Sequence, residues 1–235
     1  MLPKNSERKD ILNSLKGTSN IGVELGIARG DFSKLMQNSK KFKLIIGVDC
    51  YDEKTFDEHS HDINQYKQAL KKMNIFSNDY KILRMRFEEA IDLFEDNSLD
   101  FVYVDGYAHS GQNGGETIFK WYEKVKLGGF IAGDDYHLDW PLTVKAVDEF
   151  VRQSELDLHV TNFIGNKGIK SYSDYPSWIV KKTLSKKLSL SSNNIKEGRR
   201  ANDRVLLIKE FYRLRKKYMT RFIPNKIKNF IKKLI

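Results

Sequence analysis

Apolar residues fall in short runs, most of them broken by a glycine or an acidic residue, with longer polar stretches of helical character between them. Residues 21–25 form the first run, which breaks into Gly26-Ile27-Ala28-Arg29-Gly30, and Asp31 is placed to cap a helix over 32–40. Residues 43–48 predict a buried strand ending at Asp49, followed by a polar helix over 61–73 and a strand over 80–85. A short helix is expected over 87–94, then another buried strand, 99–104, ending at Asp105. The spacing predicts a helix over 116–125, a turn at Gly128-Gly129, and a strand over 130–133 that ends at Asp134-Asp135. Pro141 suits the first turn of an amphipathic helix over 142–151. Residues 159–164 and 177–180 read as a last pair of strands, linked by the polar segment 165–175.

Short apolar strands alternating with helices imply an α/β fold, a doubly wound and mostly parallel sheet with helices on both faces. Such a sheet opens its ligand crevice at the carboxyl ends of its strands. Four strands here end there in an acidic residue or a glycine-rich turn, which marks that edge as the candidate site. The chain of 235 residues suits one domain with an appendage. We divide it into a domain over 1–182, a linker or mobile loop over 183–202, and a basic helical tail over 203–235. The linker assignment rests on the polar run 185–194, and the tail helix on 203–218, with Pro224 as its stop.

Charge sharpens this division. From residue 181 onward there are 18 Lys and Arg against 3 Asp and Glu, a surplus of 15. The whole chain carries +10, so the first 180 residues are five negative. Overall basicity therefore belongs to the tail and says little about the crevice. The single cysteine, Cys50, excludes an internal disulfide or a multi-cysteine metal site. No stretch of eighteen apolar residues predicts a spanning helix, and the first ten residues lack a secretory signal's apolar run. A cytoplasmic location is the resulting expectation.

The turn Glu24-Leu25-Gly26-Ile27-Ala28-Arg29-Gly30 lets the backbone approach a ligand closely, and it lacks the full G-x-G-x-x-G pattern of dinucleotide sites. An acidic residue two positions before the first glycine disfavours pyrophosphate and suits a cationic ligand bearing an amino acid. Asp49, ending the next strand, is placed to accept hydrogen bonds from ribose hydroxyls. A plain tight turn with a surface glutamate is the alternative.

Residues 23–33 resemble motif I of the class I S-adenosylmethionine-dependent methyltransferases. Gly47-Val48-Asp49 resembles their second motif, 101–106 the fourth-strand motif, and 127–136 the fifth, all in register between about residues 20 and 150. The resemblance implies a Rossmann-like domain with S-adenosylmethionine as cofactor. It assigns cofactor contacts to Glu24, Gly26, Ala28, Gly30, Asp49 and Asp105, with Arg86 and Phe87 near the adenine. Within the superfamily the chain is similar to metal-dependent sugar and natural-product O-methyltransferases. These carry an aspartate after the fourth strand and an Asp-Asp pair after the fifth.

Asp105, Asp134 and Asp135 would repel one another in one crevice unless a cation or protons intervened, and Mg²⁺ takes oxygen ligands in such a setting. Helix capping and loop hydrogen bonding are the competing reading for all three. Where those relatives continue Asp-Gly-Asp with a second aspartate as base, this chain reads Asp105-Gly106-Tyr107-Ala108-His109. His109 and His137 are then the candidate bases, because imidazole titrates near neutrality. The loop 111–115 reads as flexible, and Trp140 and Tyr136 as pocket or core aromatics. Residues 225–235 carry apolar side chains at helical spacing among lysines, the pattern of a helix lying on an anionic membrane. Docking on the domain or on a second subunit in a homo-oligomer, and binding of nucleic acid, are the competing roles. The expected activity is methyl transfer to a hydroxyl of a small molecule, a sugar or glycan precursor. An RNA or protein methyltransferase, or a non-catalytic binding module on the same fold, is the alternative.

Overall fold

The computed structural model describes residues 2, 6–51, 61–73, 78–162 and 175–218. Residues 163–174, which hold most of the expected 165–175 link, and the apolar-basic stretch 225–235 lie outside them. Seven strands form one sheet: β1 (Asn20–Leu25), β2 (Phe42–Val48), β3 (Tyr80–Leu83), β4 (Leu99–Val104), β5 (Val125–Gly133), β6 (Leu158–Val160) and β7 (Trp178–Lys181). Their order is β3-β2-β1-β4-β5-β7-β6. The first five run parallel, and β7 pairs antiparallel with both β5 and β6. The expected mostly parallel, doubly wound sheet is present, and its order reverses between β1 and β4, the switch point where such folds bind ligands.

Alternation along β4 shows how the sheet is covered. Phe101 and Tyr103 face one layer with Phe32 and Met36 of α1 (Asp31–Asn38) and Met73 of α2 (Ile63–Met73). Val102 and Val104 face the other, with Ile118, Trp121 and Tyr122 of α5 (Glu116–Lys124) and Val147 and Phe150 of α6 (Pro141–Ser154). Between these lie α3 (Phe87–Ala90) and the turn α4 (Gly111–Gly114). Gly30, in the left-handed region at φ 78°, takes the N-cap of α1, so Asp31 occupies the first turn where its charge suits the helix dipole.

Two regions differ from the sequence expectation. A 3-10 turn, Arg8–Ser14, precedes β1 and buries Ile11, Leu12 and Leu15 in the first layer. No periodic signal marks so short an element. At the other end, α7 runs unbroken from Ser192 to Tyr218, beginning well inside the stretch read as a linker. Residues 183–191 are irregular but tied down: Gln153 exchanges hydrogen bonds with the Ser189 backbone at 2.9 and 3.0 Å, and Leu188 and Leu190 pack on the core. Polar composition suggested a free linker because it carries no information about backbone partners. Among the described residues, no helix is long and apolar enough to cross a membrane.

Candidate active site

The glycine turn after β1 is shaped by close backbone approach. Gly26 sits at φ 92°, and a Cβ there would fall 1.9 Å from the Asp105 carbonyl oxygen, so only glycine fits between the ends of β1 and β4. Asp49, 2% exposed, organises the turn from β2. Its Oδ2 accepts the N–H groups of Ile27 (2.9 Å) and Ala28 (3.0 Å), and contacts His61 Nδ1 at 2.6 Å. Its Oδ1 accepts the Tyr51 N–H, while the Tyr51 hydroxyl donates to the Ala28 carbonyl at 2.8 Å. Ala28 is thereby held at φ 47°. Burial opposes a charge on His61, but the hydrogen bond and charge of Asp49 prevail and raise its pKa. His61 escaped the sequence reading, because a histidine at the end of an ill-defined polar stretch carries no motif.

A narrow cleft opens beside this turn, lined by Gly26, Asp49, Cys50, His61, Met85, Arg86, Phe87, Gly106 and Tyr107. It therefore brings Gly26, Asp49, Arg86 and Phe87 together. Phe87 packs at 4.8 Å on Tyr107 and closes over Gly106, where a Cβ would come 2.7 Å from its ring. Glu24 lies beneath the turn instead. It is 1% exposed and accepts a hydrogen bond from the Ser33 hydroxyl, which also contacts the Tyr80 hydroxyl at 2.9 Å. Burial pushes its carboxyl up to about 8; the Ser33 bond opposes this, and the charges of Asp105 and Asp49 add to it.

The carboxylates at the ends of β4 and β5 already have a cation. Arg8, from the turn before β1, places Nη2 2.5 Å from Asp105 Oδ2 and Nη1 3.0 Å from Asp134 Oδ2. Its guanidinium lies 4.7 Å from the centre of the Phe32 ring and 4.9 Å from that of Tyr103. Ser177 donates to Asp134 Oδ1 at 2.9 Å and meets the Tyr103 hydroxyl at 2.9 Å, completing a buried network. Burial pushes Asp134 up to about 7 against the pull of Arg8, and it raises Asp135 as well. Asp135 sits at φ 63°. The expected Mg²⁺ set of Asp105, Asp134 and Asp135 finds no support in this arrangement. Among the described residues no three acidic, histidine or cysteine side chains are grouped to hold a metal ion, and a guanidinium fills the space between two of the three.

His109 and His137 lie in the loops after β4 and β5, outside the lining of the cleft. The His109 ring packs edge-on to Trp140 at 4.6 Å, Trp140 meets Tyr175 at 5.8 Å, and Tyr175 meets His137 at 5.2 Å. Tyr175 donates to Asp139 at 3.0 Å. Three loops thus converge as a ring-lined wall at the carboxyl edge of the sheet. Beneath them, α4 is a single left-handed turn and not the open loop expected for 111–115. Gly111, Gln112, Asn113 and Gly114 all have φ between 51° and 68°. Each non-glycine residue so held costs on the order of 1 kcal/mol, a strain that packing must offset. That packing comes from α7: Gly198 lies so close that a Cβ would approach the Gly114 nitrogen to 2.4 Å.

Comparison with known proteins accords with this geometry. Residues 23–136 match the family model described as a methyltransferase domain. The uncharacterized protein R132 of Acanthamoeba polyphaga mimivirus is 33% identical over 135 residues, 55% of this chain and 58% of that one. The match thus spans little more than half of that relative's length. Among solved structures, cofactor-bound Rv0187 from MTB superposes with a TM-score of 0.53 at 10% identity, over 72% of this chain and 75% of that one. A SAM-dependent O-methyltransferase from Thermotoga maritima gives 0.51 at 12% identity, over 77% and 64%. At such identities the likeness shows the fold alone, a Rossmann-like α/β sheet flanked by helices.

Proposed function

We propose that this chain, a methyltransferase domain by family model and by fold, binds S-adenosylmethionine in the Gly26–Asp49–Phe87 cleft and methylates a hydroxyl of a sugar or glycan precursor. The cleft carries the reading. It lies at the strand-order reversal, its floor is glycine because of the 1.9 Å approach to Asp105, and an acidic residue ends the second strand beside it. Those residues suit the group: Asp49, at the cleft, would accept from ribose hydroxyls, and Phe87 with Met85 offers an apolar surface for a purine. When bound, the cofactor supplies a methyl group on a sulfonium sulfur, whose positive charge is quenched as the carbon–sulfur bond breaks.

The chain's own contribution is alignment, which is the larger part of catalysis in such a transfer. The ring wall of His109, Trp140, Tyr175 and His137 supports the acceptor reading. Aromatic faces stack on the apolar face of a pyranose, while the imidazoles offer an acceptor for the hydroxyl proton. Trp121 and Trp178 are at most 1% exposed, so Trp140 is the partly exposed indole of the three. The test is calorimetry with S-adenosylhomocysteine, followed by methyl-transfer assays with a panel of glycosides, phenols and RNA. Saturable cofactor binding with turnover of a glycoside, and quenching of Trp140 fluorescence by that glycoside, is the expected result. Absence of cofactor binding would overturn the reading, and turnover confined to RNA or phenols would overturn the acceptor class.

A further inference from the structure

We infer that Arg8 is the resident cation of the crevice, taking the position between Asp105 and Asp134 that a divalent ion would need, so that the site is built to work without a metal. The inference rests on the reading of this crevice as the active site, but on different residues from the cofactor cleft. Arg8 is not a surface side chain that happens to reach inward. Its side chain is 11% exposed, its two terminal nitrogens address two different carboxylates, and its guanidinium lies within 5 Å of the centres of both rings of the stacked Phe32–Tyr103 pair. The turn that carries it is anchored on both sides, by Ile11 and Leu12 in the core and by the Asn162 N–H donating to the Ser6 carbonyl at 2.9 Å.

The geometry also separates the two acids. Asp134 is 2% exposed and fully committed, to Arg8 on one oxygen and Ser177 on the other. Asp105 keeps 28% of its side chain exposed at the crevice while Arg8 holds its Oδ2. Arg8 is thus a positioning residue. It neutralises the buried acid and fixes the rotamer of the accessible one, the two services a bridging metal renders to a carboxylate pair. A buried guanidinium stays charged, because arginine does not deprotonate in proteins. Uncompensated, two carboxylates this close would repel and one would take up a proton.

The test uses Mn²⁺ as the probe, read by electron paramagnetic resonance, on the full chain after chelator treatment. Wild-type protein is expected to show no saturable Mn²⁺ binding, no change in melting temperature with MgCl₂, and the same S-adenosylhomocysteine affinity with or without chelator. Arg8→Ala is expected to gain one saturable Mn²⁺ site and a melting temperature that rises with MgCl₂ or with millimolar guanidinium. Its turnover should fall about 10- to 100-fold, the loss expected for removing hydrogen bonds between charged groups. Arg8→Lys, which keeps the charge without the fork, should stay Mn²⁺-free but lose turnover. Saturable Mn²⁺ binding by the wild type, or turnover that chelator abolishes and Mg²⁺ restores, overturns the inference whether or not the alanine variant folds. A folded Arg8→Ala that responds to neither cation overturns it as well. Failure of the wild type to bind S-adenosylhomocysteine would instead strike the functional reading, which keeps the two failures apart.

Discussion

Replacing Glu24 with glutamine should leave the protein's stability nearly unchanged in acid and make it the more stable of the two in mild alkali. Glu24 is 1% exposed, and burial pushes its carboxyl from 4.5 up to about 8. At neutral pH the folded protein therefore holds a proton that the unfolded chain releases. The sign follows from that difference in proton binding. Stability contributed by a carboxyl whose folded pKa is raised is fully present below the unfolded value of 4.5, and it is lost as pH rises toward 8. At about 1.4 kcal/mol for each pH step of one, the wild type should lose on the order of 3–5 kcal/mol across that window relative to Glu24→Gln. Glutamine lacks the titration but keeps the size and a hydrogen-bonding end for Ser33. Other buried groups, Asp134 among them, titrate in both proteins, so the informative quantity is the gap between the two curves. Urea unfolding at pH 5, 6, 7 and 8 measures it. Parallel curves would refute the reasoning and mean that Glu24 is ionised in the folded state.

Asp49→Asn should weaken S-adenosylhomocysteine binding by roughly 1.5–3 kcal/mol and lower the pKa of His61, since it removes the charge that raises it. Calorimetry and histidine NMR read the two effects, and unchanged affinity in a folded variant counts against the site. Asp49→Ala should also strand the Ile27 and Ala28 N–H groups, at about 1–3 kcal/mol each, and be visibly less stable in a thermal melt. Alkylation of Cys50, which lines the cleft, should slow when S-adenosylhomocysteine is bound; equal rates would place the ligand elsewhere. Gly198→Ala should lower stability by about 1–3 kcal/mol, although alanine favours a helix by about 1 kcal/mol, because its Cβ would press on the Gly114 backbone. A raised melting temperature would show that α7 does not dock there.

The strand run of this protein is easily read because its central parallel strands are largely buried on both faces, so a segment such as 101–104 carries no charged residue. The glycine turn and Asp49 are legible for a related reason, since close approach admits few residue types. What they hold was less legible. Asp49 could be placed at a strand end from its sequence neighbours, but its bonds to Ile27, Ala28 and His61 depend on two other segments folding toward it. Polar composition misled at 192–202, where the first half of α7 docks through Gly198, a residue that reads in sequence as a helix breaker. It misled again at 111–115, where glycines that suggest an open loop instead permit a tight left-handed turn under α7.

Arg8 shows the deeper limit. Three aspartates at strand ends carry a visible demand for positive charge, and Mg²⁺ was one way of meeting it. A buried arginine meets the same demand, but nothing in the run Glu7-Arg8-Lys9-Asp10 distinguishes the buried cation from its neighbour. Lys9 pairs with Glu7 and is 61% exposed, whereas Arg8 is 11% exposed. Which of the two turns inward is decided by Ile11, Leu12 and Leu15, whose burial fixes the rotation of the 3-10 turn. The methyltransferase match begins at residue 23, downstream of all of them. The charge that completes the crevice therefore comes from an arm whose placement is set by hydrophobic packing rather than by any motif. Substitutions at Ile11 or Leu12 should consequently disturb Asp105 through Arg8 without touching it.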